Sequence, residues 1–487
     1  MNYYLGIDIG TSSTKAVCFD TNGHAVASAS KDYELYVPKP GYAEEDPEDW
    51  FDAVCTVIRT LASTYRIKGI GLSGQMHGLV LLDRNDTVLR PSIIWCDNRA
   101  TEEAKEIQRR LPGKIKKITK NEVQPAFTLA KLLWVQNHEK KIYEQIDKVL
   151  LPKDYIAYRL TDTFKTEYSD ASGTQWLDLE KKTYSDEILE AFAINRAWLP
   201  ALQESSEIRG VVQKALCAEL NLPQDCFVVG GAGDQAAAAI GNGILKKGDV
   251  SLVLGSSGVV FSPVFRKDLN QDTPLQVFMH AIPDTYHVMG VTNGCGLSYR
   301  WYKETLTDRT YDQLNEGAAL SKPGAHGLIY LPYLNGERTP HLDPYARGCF
   351  LGIAQDTSQN DFTRAVLEGI SYSLKDCFSL LNLPDASIRI SGGGAKGDLW
   401  RTIIASVFKR PVYRICQEEG GALGVAILAM VAGKDYQSVD EACEKLIRLQ
   451  DETKPVKDWE AVYEKGYDHY RLAYRSLKDY FVKVQDQ

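Results

Sequence analysis

What this 487-residue chain lacks narrows the field first. Its ten cysteines are scattered from Cys18 to Cys443 with no C-x-x-C pair, so neither a disulfide framework nor a cysteine zinc site is expected. No run of roughly 18 uncharged apolar residues occurs, so no membrane-spanning helix is expected. There is no basic excess. The net charge is -8, and a chain that tracks phosphate backbones needs a basic face, so nucleic acid is not an expected partner. Met1 to Gly10 has no basic n-region of a signal peptide, and the expected location is the cytoplasm. No G-x-x-x-x-G-K-[ST] segment is found, which excludes the Walker A route to nucleotide binding at the first Gly-rich turn.

What remains is ordinary globular composition, 44% apolar and 25% charged, in a chain long enough for two or more domains. Residues 3–10 (YYLGIDIG) read as a strand, TSST as a turn and 15–20 (KAVCFD) as a second strand. An Asn-Gly turn and a third strand follow, the pattern of an antiparallel meander. Trp50, Phe51, Val54, Val57, Ile58 and Leu61 recur at helical spacing, which predicts a helix from Pro47 to about Tyr65. IKGIGLSG reads as a buried strand and LVLLDRNDTV as another, which ends in an Asn-Asp turn. Residues 226–241 run from a strand through a Gly-rich turn into an Ala-rich helix. Residues 249–264 (DVSLVLGSSGVVFSPV) repeat the opening strand, small-residue turn and strand. Two related α/β halves are expected, each presenting a turn to a shared cleft. The junction falls near NGILKKGD, with domains at 1–245 and 246–487. The charged, aromatic segment from Lys454 reads as a helix that could pack on either half.

Five segments can carry chemistry. In Asp8-Ile-Gly10-Thr11-Ser12-Ser13-Thr14-Lys15, backbone N–H groups and hydroxyls can hold phosphate oxygens, and Asp8 can orient Mg²⁺ through its waters. A plain hairpin with a buried Asp is the alternative. In Gly231-Ala232-Gly233-Asp234-Gln235, a carboxylate stands where a strand turns into a helix. It reads as a rigid base at a cleft edge or as a helix N-cap. Gly255-Ser256-Ser257-Gly258 is a second hydroxyl-bearing turn. Ser391-Gly392-Gly393-Gly394-Ala395-Lys396-Gly397 matches G-x-G-x-x-G, with Glu418 and Glu419 about twenty residues on. It reads as a dinucleotide fingerprint, an adenosine-binding turn or a structural turn. Ser73-Gly74-Gln75-Met76-His77-Gly78 joins directional hydrogen bonding to a soft apolar wall, which suits a polyol. A structural histidine is the alternative.

In this order, these motifs resemble the FGGY carbohydrate kinases, and within them the xylulokinases, over nearly the whole chain. Trp95-Cys96-Asp97-Asn98-Arg99, Lys131-Leu132-Leu133-Trp134-Val135, residues 348–369, LPKDY (151–155), SDASGTQWLD (169–178) and LPYLNGERTPH (331–341) extend the likeness. The resemblance implies an α/β fold of two ribonuclease-H-like (actin-like ATPase) domains flanking a catalytic cleft, with ATP and Mg²⁺ required. It implies D-xylulose as substrate and D-xylulose 5-phosphate as product. By residue, it implies Asp234 as general base, Asp8 at the metal, and Met76, His77 and Gln235 at the sugar. Thr11, Ser12 and Ser13 fall in the first phosphate loop, Ser256, Ser257 and Gly258 in the second, and Gly393 and Gly394 at the adenosine. Two positions depart from the pattern. Gln235 stands where some xylulokinases carry Asn, and GSSG replaces the common GTSG. Other sugars or polyols (ribulose, gluconate, glycerol) are the rival substrates. A non-catalytic actin-like sensor is the rival from another class, and a homodimer is the expected assembly.

Overall fold

A computed structural model of the chain describes residues 2–269, 273–415 and 420–484. The opening meander forms as β1 (Tyr3–Ile9), β2 (Ser13–Asp20) and β3 (Ala25–Asp32), all antiparallel. Helix α1 (Pro47–Ala62) follows. Asp46 caps it, accepting from the Glu48 N–H at 2.9 Å, and Pro47 supplies the preset first turn. Its buried face is Trp50, Val54, Val57, Ile58 and Leu61, the stripe that the spacing predicts. The crossover delivers β4 (Ile67–Gly74) parallel to β1. The edge strand β5 (Ile208–Val211) runs antiparallel to β6 (Phe227–Val229), which lies parallel to β4. The sheet order is therefore β5-β6-β4-β1-β2-β3.

The second half repeats this plan. Strands β7 (Asp249–Leu254), β8 (Gly258–Phe265), β9 (Gln276–Met279) and β10 (Thr285–Thr292) form antiparallel pairs. Strands β11 (Ser387–Ser391) and β12 (Val412–Ile415) add in parallel, and β13 (Leu449–Thr453) closes the edge antiparallel. The order β9-β10-β8-β7-β11-β12-β13 matches the first sheet strand for strand from β10 to β13. The two related halves expected from the sequence are present. A dinucleotide-binding sheet is instead all or mostly parallel, so GGGAKG does not open a Rossmann unit here. The acidic Glu418 and Glu419 lie outside the described residues.

Helix α2 (Asp234–Gly241) lies on the first sheet, and so does a helix from much later in the chain, α5 (Gly420–Ala432). Between them in sequence come α3 (Gln359–Ser379) and α4 (Asp398–Phe408), which join the core of the second sheet. Helix α5 is buried along Ala422 to Met430, apolar on every side, as a helix held between layers must be. A Cβ at Gly6 would lie 1.8 Å from the Ala422 carbonyl oxygen, and one at Gly424 would lie 1.9 Å from that of Ala237. Only glycine permits backbones this close. The C-terminal helix α6 (Lys457–Lys483) packs on the second half, burying Tyr463, Tyr470, Tyr474 and Phe481. Tyr463 accepts a hydrogen bond from buried Arg364 at 2.7 Å. Among the described residues, no helix is long and apolar enough to cross a membrane.

Candidate active site

In an open α/β sheet, ligands gather beyond the carboxyl ends of the parallel strands. Here those ends carry the motifs. Strand β1 ends after Asp8, which stands opposite Ser73 of β4 and Lys15 of β2. Strand β4 runs into Gln75-Met76-His77. In the second half, β7 leads into Gly255-Ser256-Ser257 and β11 into Gly392-Gly393-Gly394.

Asp234 is the first residue of α2. Gly233 holds the N-cap position without a side-chain cap, so the carboxylate is not the cap of its own helix. It accepts the neighbouring Gln235 N–H, at 2.7 Å. Burial, and then the negative charge of Asp8, raise its pKa to about 7. That is where a group must titrate to accept a proton readily at neutral pH. The backbone around it is fixed. The Gly233 N–H donates to Ser169 Oγ at 3.0 Å, and Ser169 Oγ donates to the buried Glu167 at 2.9 Å. A Cβ at Gly421 would still stand 3.8 Å from the Asp8 carboxylate, which leaves room beside it. Two carboxylates that repel each other beside such a space suit a hydrated divalent cation, and Asp8 fits Mg²⁺ in this respect. Among the described residues, no group of three or more His, Cys, Asp and Glu forms a cage that would hold a metal alone. The ion fits as one carried in with phosphates.

Met76 and His77 adjoin this pair. A Cβ at Gly233 would meet the Met76 side chain at 3.0 Å. His77 has φ +69°, a left-handed backbone unusual for histidine. Its carbonyl accepts from buried Lys131 at 2.9 Å and from Thr128 at 3.2 Å, which hold it there. Its Nδ1 lies 2.9 Å from the Gly173 carbonyl, an acceptor only, so Nδ1 carries the proton. Burial, and then the charges of Lys131 and Arg338, lower the His77 pKa to about 3. The ring is therefore neutral, and Nε2 is left as an acceptor for a ligand hydroxyl. Phe127 and Phe278 pack on the ring, with centroids 4.6 and 5.8 Å away. Phe278 comes from β9, so the second half closes this pocket.

The remaining cleft holds two adjoining cavities. One, of about 540 Å³, brings Gln235 of the first half together with Ser257, Gly392 and Gly393 of the second. The other, of about 530 Å³, is lined by Ser256, Gly393, Gly394, Tyr299, Tyr311 and Trp400. They share Gly255, Gly393 and Lys396. A Cβ at Gly393 would meet nothing within 4 Å, whereas one at Gly394 would strike Trp400 at 2.7 Å. Gly393 thus faces open space, and Gly394 leaves room for the Trp400 indole beside the turn. Small turns, then an aromatic wall, form a trough with phosphate-like and base-like ends.

Not every residue singled out in the sequence faces this space. Gly258 is buried, where a Cβ would meet Leu374 at 2.5 Å and Thr292 at 2.7 Å. The Thr11 hydroxyl accepts from Trp95 Nε1 at 3.0 Å, while Ser12 is exposed and the Ser13 carbonyl accepts from the Gly10 N–H at 3.0 Å. Sequence reasoning missed the supports. Glu45 accepts from Trp50 at 2.8 Å and from Gln75 at 2.7 Å, fixing the residue before Met76. Lys153 is fully buried, 2.9 Å from Asp154, 3.5 Å from Glu167 and 3.6 Å from Asp170. Burial alone would lower its pKa, but the three carboxylates prevail and raise it to about 12. Lys153 and Glu167 fall inside or beside LPKDY and SDASGTQWLD, segments visible in the sequence without any visible task.

The same architecture occurs in known proteins. The N-terminal domain model of the FGGY family of carbohydrate kinases matches residues 3–241, and the C-terminal domain model matches residues 250–433. A xylulose kinase of Staphylococcus epidermidis is 37% identical over 483 residues, covering 97% of each chain. A ligand-bound xylulose kinase structure from Lactobacillus acidophilus superposes with a TM-score of 0.94 at 30% identity, covering 99% of this chain and 100% of that one. A gluconate kinase from the same organism superposes with a TM-score of 0.94 at 31% identity, covering 99% of each. Two matched halves, in order and nearly end to end, assign the cleft: the chain belongs to the FGGY family of carbohydrate kinases and is an ATP-dependent sugar kinase.

Proposed function

We propose that this chain transfers the γ-phosphoryl group of ATP to the terminal hydroxyl of D-xylulose, giving D-xylulose 5-phosphate and ADP. The observation that carries this reading is Asp234. It is a carboxyl with a pKa of about 7, fixed at a helix start, within the field of Asp8 and next to Gly233, where a Cβ would meet the Met76 side chain. In the reaction Asp234 takes the proton of the hydroxyl as its oxygen bonds to phosphorus, and the bond from phosphorus to the ADP oxygen breaks. Met76, His77 and Gln235 orient the sugar, with His77 Nε2 accepting a hydrogen bond from one of its hydroxyls. The backbones and hydroxyls of Thr11 to Ser13 and of Ser256 and Ser257 attend the phosphates, and Gly393 and Gly394 attend the adenosine. Mg²⁺ would be held through Asp8 and supplies positive charge beside the transferring phosphoryl group. Alignment and charge stabilisation are most of what such a transfer asks of a protein.

In this reading residues 1–245 carry the sugar and 246–487 carry the nucleotide, and closure of the cleft keeps water out. All nine described cysteines are free, which supports a reducing compartment such as the cytoplasm. A gluconate kinase reading stands second, because the backbone likeness to a gluconate kinase equals that to a xylulose kinase. The segment Gln75-Met76-His77-Gly78 favours the ketose. The test is ³¹P NMR of a reaction with ATP, Mg²⁺ and D-xylulose. One new phosphomonoester on the terminal carbon, formed with equal ADP, is expected, and ADP without a sugar ester would contradict the reading. His77→Ala is expected to raise KM for the sugar about tenfold, the scale of one lost hydrogen bond, with KM for ATP unchanged. Equal weakening of both substrates would make His77 structural instead.

A further inference from the structure

The segment Glu337-Arg338-Thr339 lies against β10 where β9 stops pairing with it. The Thr339 N–H donates to the Val291 carbonyl at 3.0 Å, and the Val291 N–H donates to Thr339 Oγ1 at 3.2 Å. Glu337 is 3% exposed and turns inward. Its carboxylate accepts from Thr292 Oγ1 at 2.6 Å, from the Asn293 N–H at 2.8 Å, from the Arg338 N–H at 2.7 Å and from Ser373 Oγ of α3 at 3.2 Å. Thr339 is equally buried, and its carbonyl accepts from Cys377 Sγ of α3 at 3.4 Å. Side chains alternate along a chain laid against a strand, so Arg338, between these two, leaves the α3 side. The face it joins is that of Val291 and Met289 on β10. This face meets the first half, because Met289, Phe261 and Phe278 cluster with Met76 and Phe127.

The Arg338 side chain is exposed, and among the described residues its guanidinium makes no hydrogen bond and no ion pair. The acid beside it, Glu337, spends its carboxylate on the four donors above. Solvent reaches Arg338, yet enough protein surrounds it for burial to lower its pKa, so it stands on a concave wall. Its charge also reaches the first half, where it helps Lys131 and burial to keep His77 neutral. Other cations around the pocket are committed, Lys131 to the His77 carbonyl and Lys153 to three carboxylates. Among the described residues, Arg338 thus offers donors without an acceptor, and His77 Nε2 offers an acceptor without a donor. A sugar hydroxyl both donates and accepts, and it satisfies one of each.

We propose that Arg338 is a further substrate-binding residue, whose guanidinium, carried by the second half, donates to an oxygen of the acceptor sugar that His77 holds on the first. The inference rests on the reading of the cleft given above, with Met76 and His77 at the sugar. Arginine suits the task because its donors form a rigid planar fork that never loses its charge. Glu337 and Thr339 fix the backbone on either side of it, so the fork is aimed by its neighbours rather than by a partner of its own.

The test is steady-state kinetics of Arg338→Ala and Arg338→Lys in the full chain, with ATP, Mg²⁺ and whichever sugar the wild type turns over best. Arg338→Ala is expected to raise KM for the sugar by roughly tenfold or more, with KM for ATP and the thermal midpoint unchanged. Arg338→Lys, which keeps the charge and loses the fork, should fall between the two. Guanidinium chloride, at a concentration too low to denature, should restore part of the loss in Arg338→Ala. An unchanged KM for the sugar overturns the proposal. So does a fall in kcat with both KM values unchanged, which would put the guanidinium on the transferring phosphoryl group. Equal weakening of both substrates with a lowered midpoint would make Arg338 structural. A wrong sugar shows instead in the wild type, and a wrong base in Asp234→Asn, so failure of the underlying reading is seen separately.

Discussion

Asp234→Asn is expected to lower kcat by roughly a hundred- to ten-thousandfold, the usual contribution of a positioned general base. The amide keeps the shape and cannot take the proton. KM for the sugar should move little, because the loss falls on the transition state rather than on ground-state binding. Stability should hold or rise. The folded protein raises the Asp234 pKa to about 7 through burial and the Asp8 charge, so the ionised carboxylate is a strained occupant of its site. Asparagine has no charge for Asp8 to repel. Steady-state kinetics and a thermal midpoint on the same preparation separate the outcomes. A wild-type turnover would remove Asp234 from the base role. A collapsed midpoint with lost turnover would mean a structural carboxylate.

The second large effect is expected behind the site. Lys153→Met should cost roughly 3–5 kcal/mol of stability, since removing one partner leaves buried charge uncompensated. Asp154 would keep Arg209, which lies 2.8 Å away, and Glu167 would keep its donors from Ser169, Asp170 and Ser205. Among the described residues, Asp170 would lose its one ion-pair partner, and neither of its oxygens has a hydrogen-bond partner. Burial already holds the Asp170 carboxyl well above its ordinary pKa. Asp170→Asn, neutral and of the same shape, should therefore cost far less than Lys153→Met. Urea unfolding of the two variants beside the wild type tests the contrast. Because Glu167, Ser169 and Gly233 link this cluster to Asp234, Lys153→Met should also lower kcat in the protein that remains folded. Equal midpoints for Lys153→Met and wild type would contradict the account.

The parts of this molecule legible in its sequence are those written in neighbouring residues. The strand ending at Asp8, its small-residue turn and its return strand are local, and they form as read. Helix α1 shows its apolar stripe and its cap within one window. The boundary between β6 and α2 is also local, although the alternative of Asp234 as an N-cap could be decided only by the backbone, which gives that position to Gly233. What failed to show was set by distant partners. The strand in LVLLDRNDTV stops at Leu82, before the Asn-Asp turn read in it, and what did not show is its distant partner, Lys148–Leu150. Helix α5 is apolar all round and so carries no stripe to announce which sheet it covers. Its place against β1 becomes clear only from Gly6, some four hundred residues earlier. Lys153 looks like any surface lysine until three carboxylates from two segments surround it. The G-x-G-x-x-G match at Gly392 is a true strand, turn and helix, and what separates it from a dinucleotide site is the strand order around it.

The central claim is a kinase whose cleft selects D-xylulose, and kcat/KM across a panel of sugars tests it most directly. ADP release would be followed with ATP and Mg²⁺ for D-xylulose, L-xylulose, D-ribulose, L-ribulose, D-gluconate and glycerol. The account predicts the highest kcat/KM for D-xylulose, at least tenfold above every other substrate. A higher value for gluconate, or for any other member of the panel, would contradict the sugar assignment and move specificity from Met76 and His77 to residues such as Gln235.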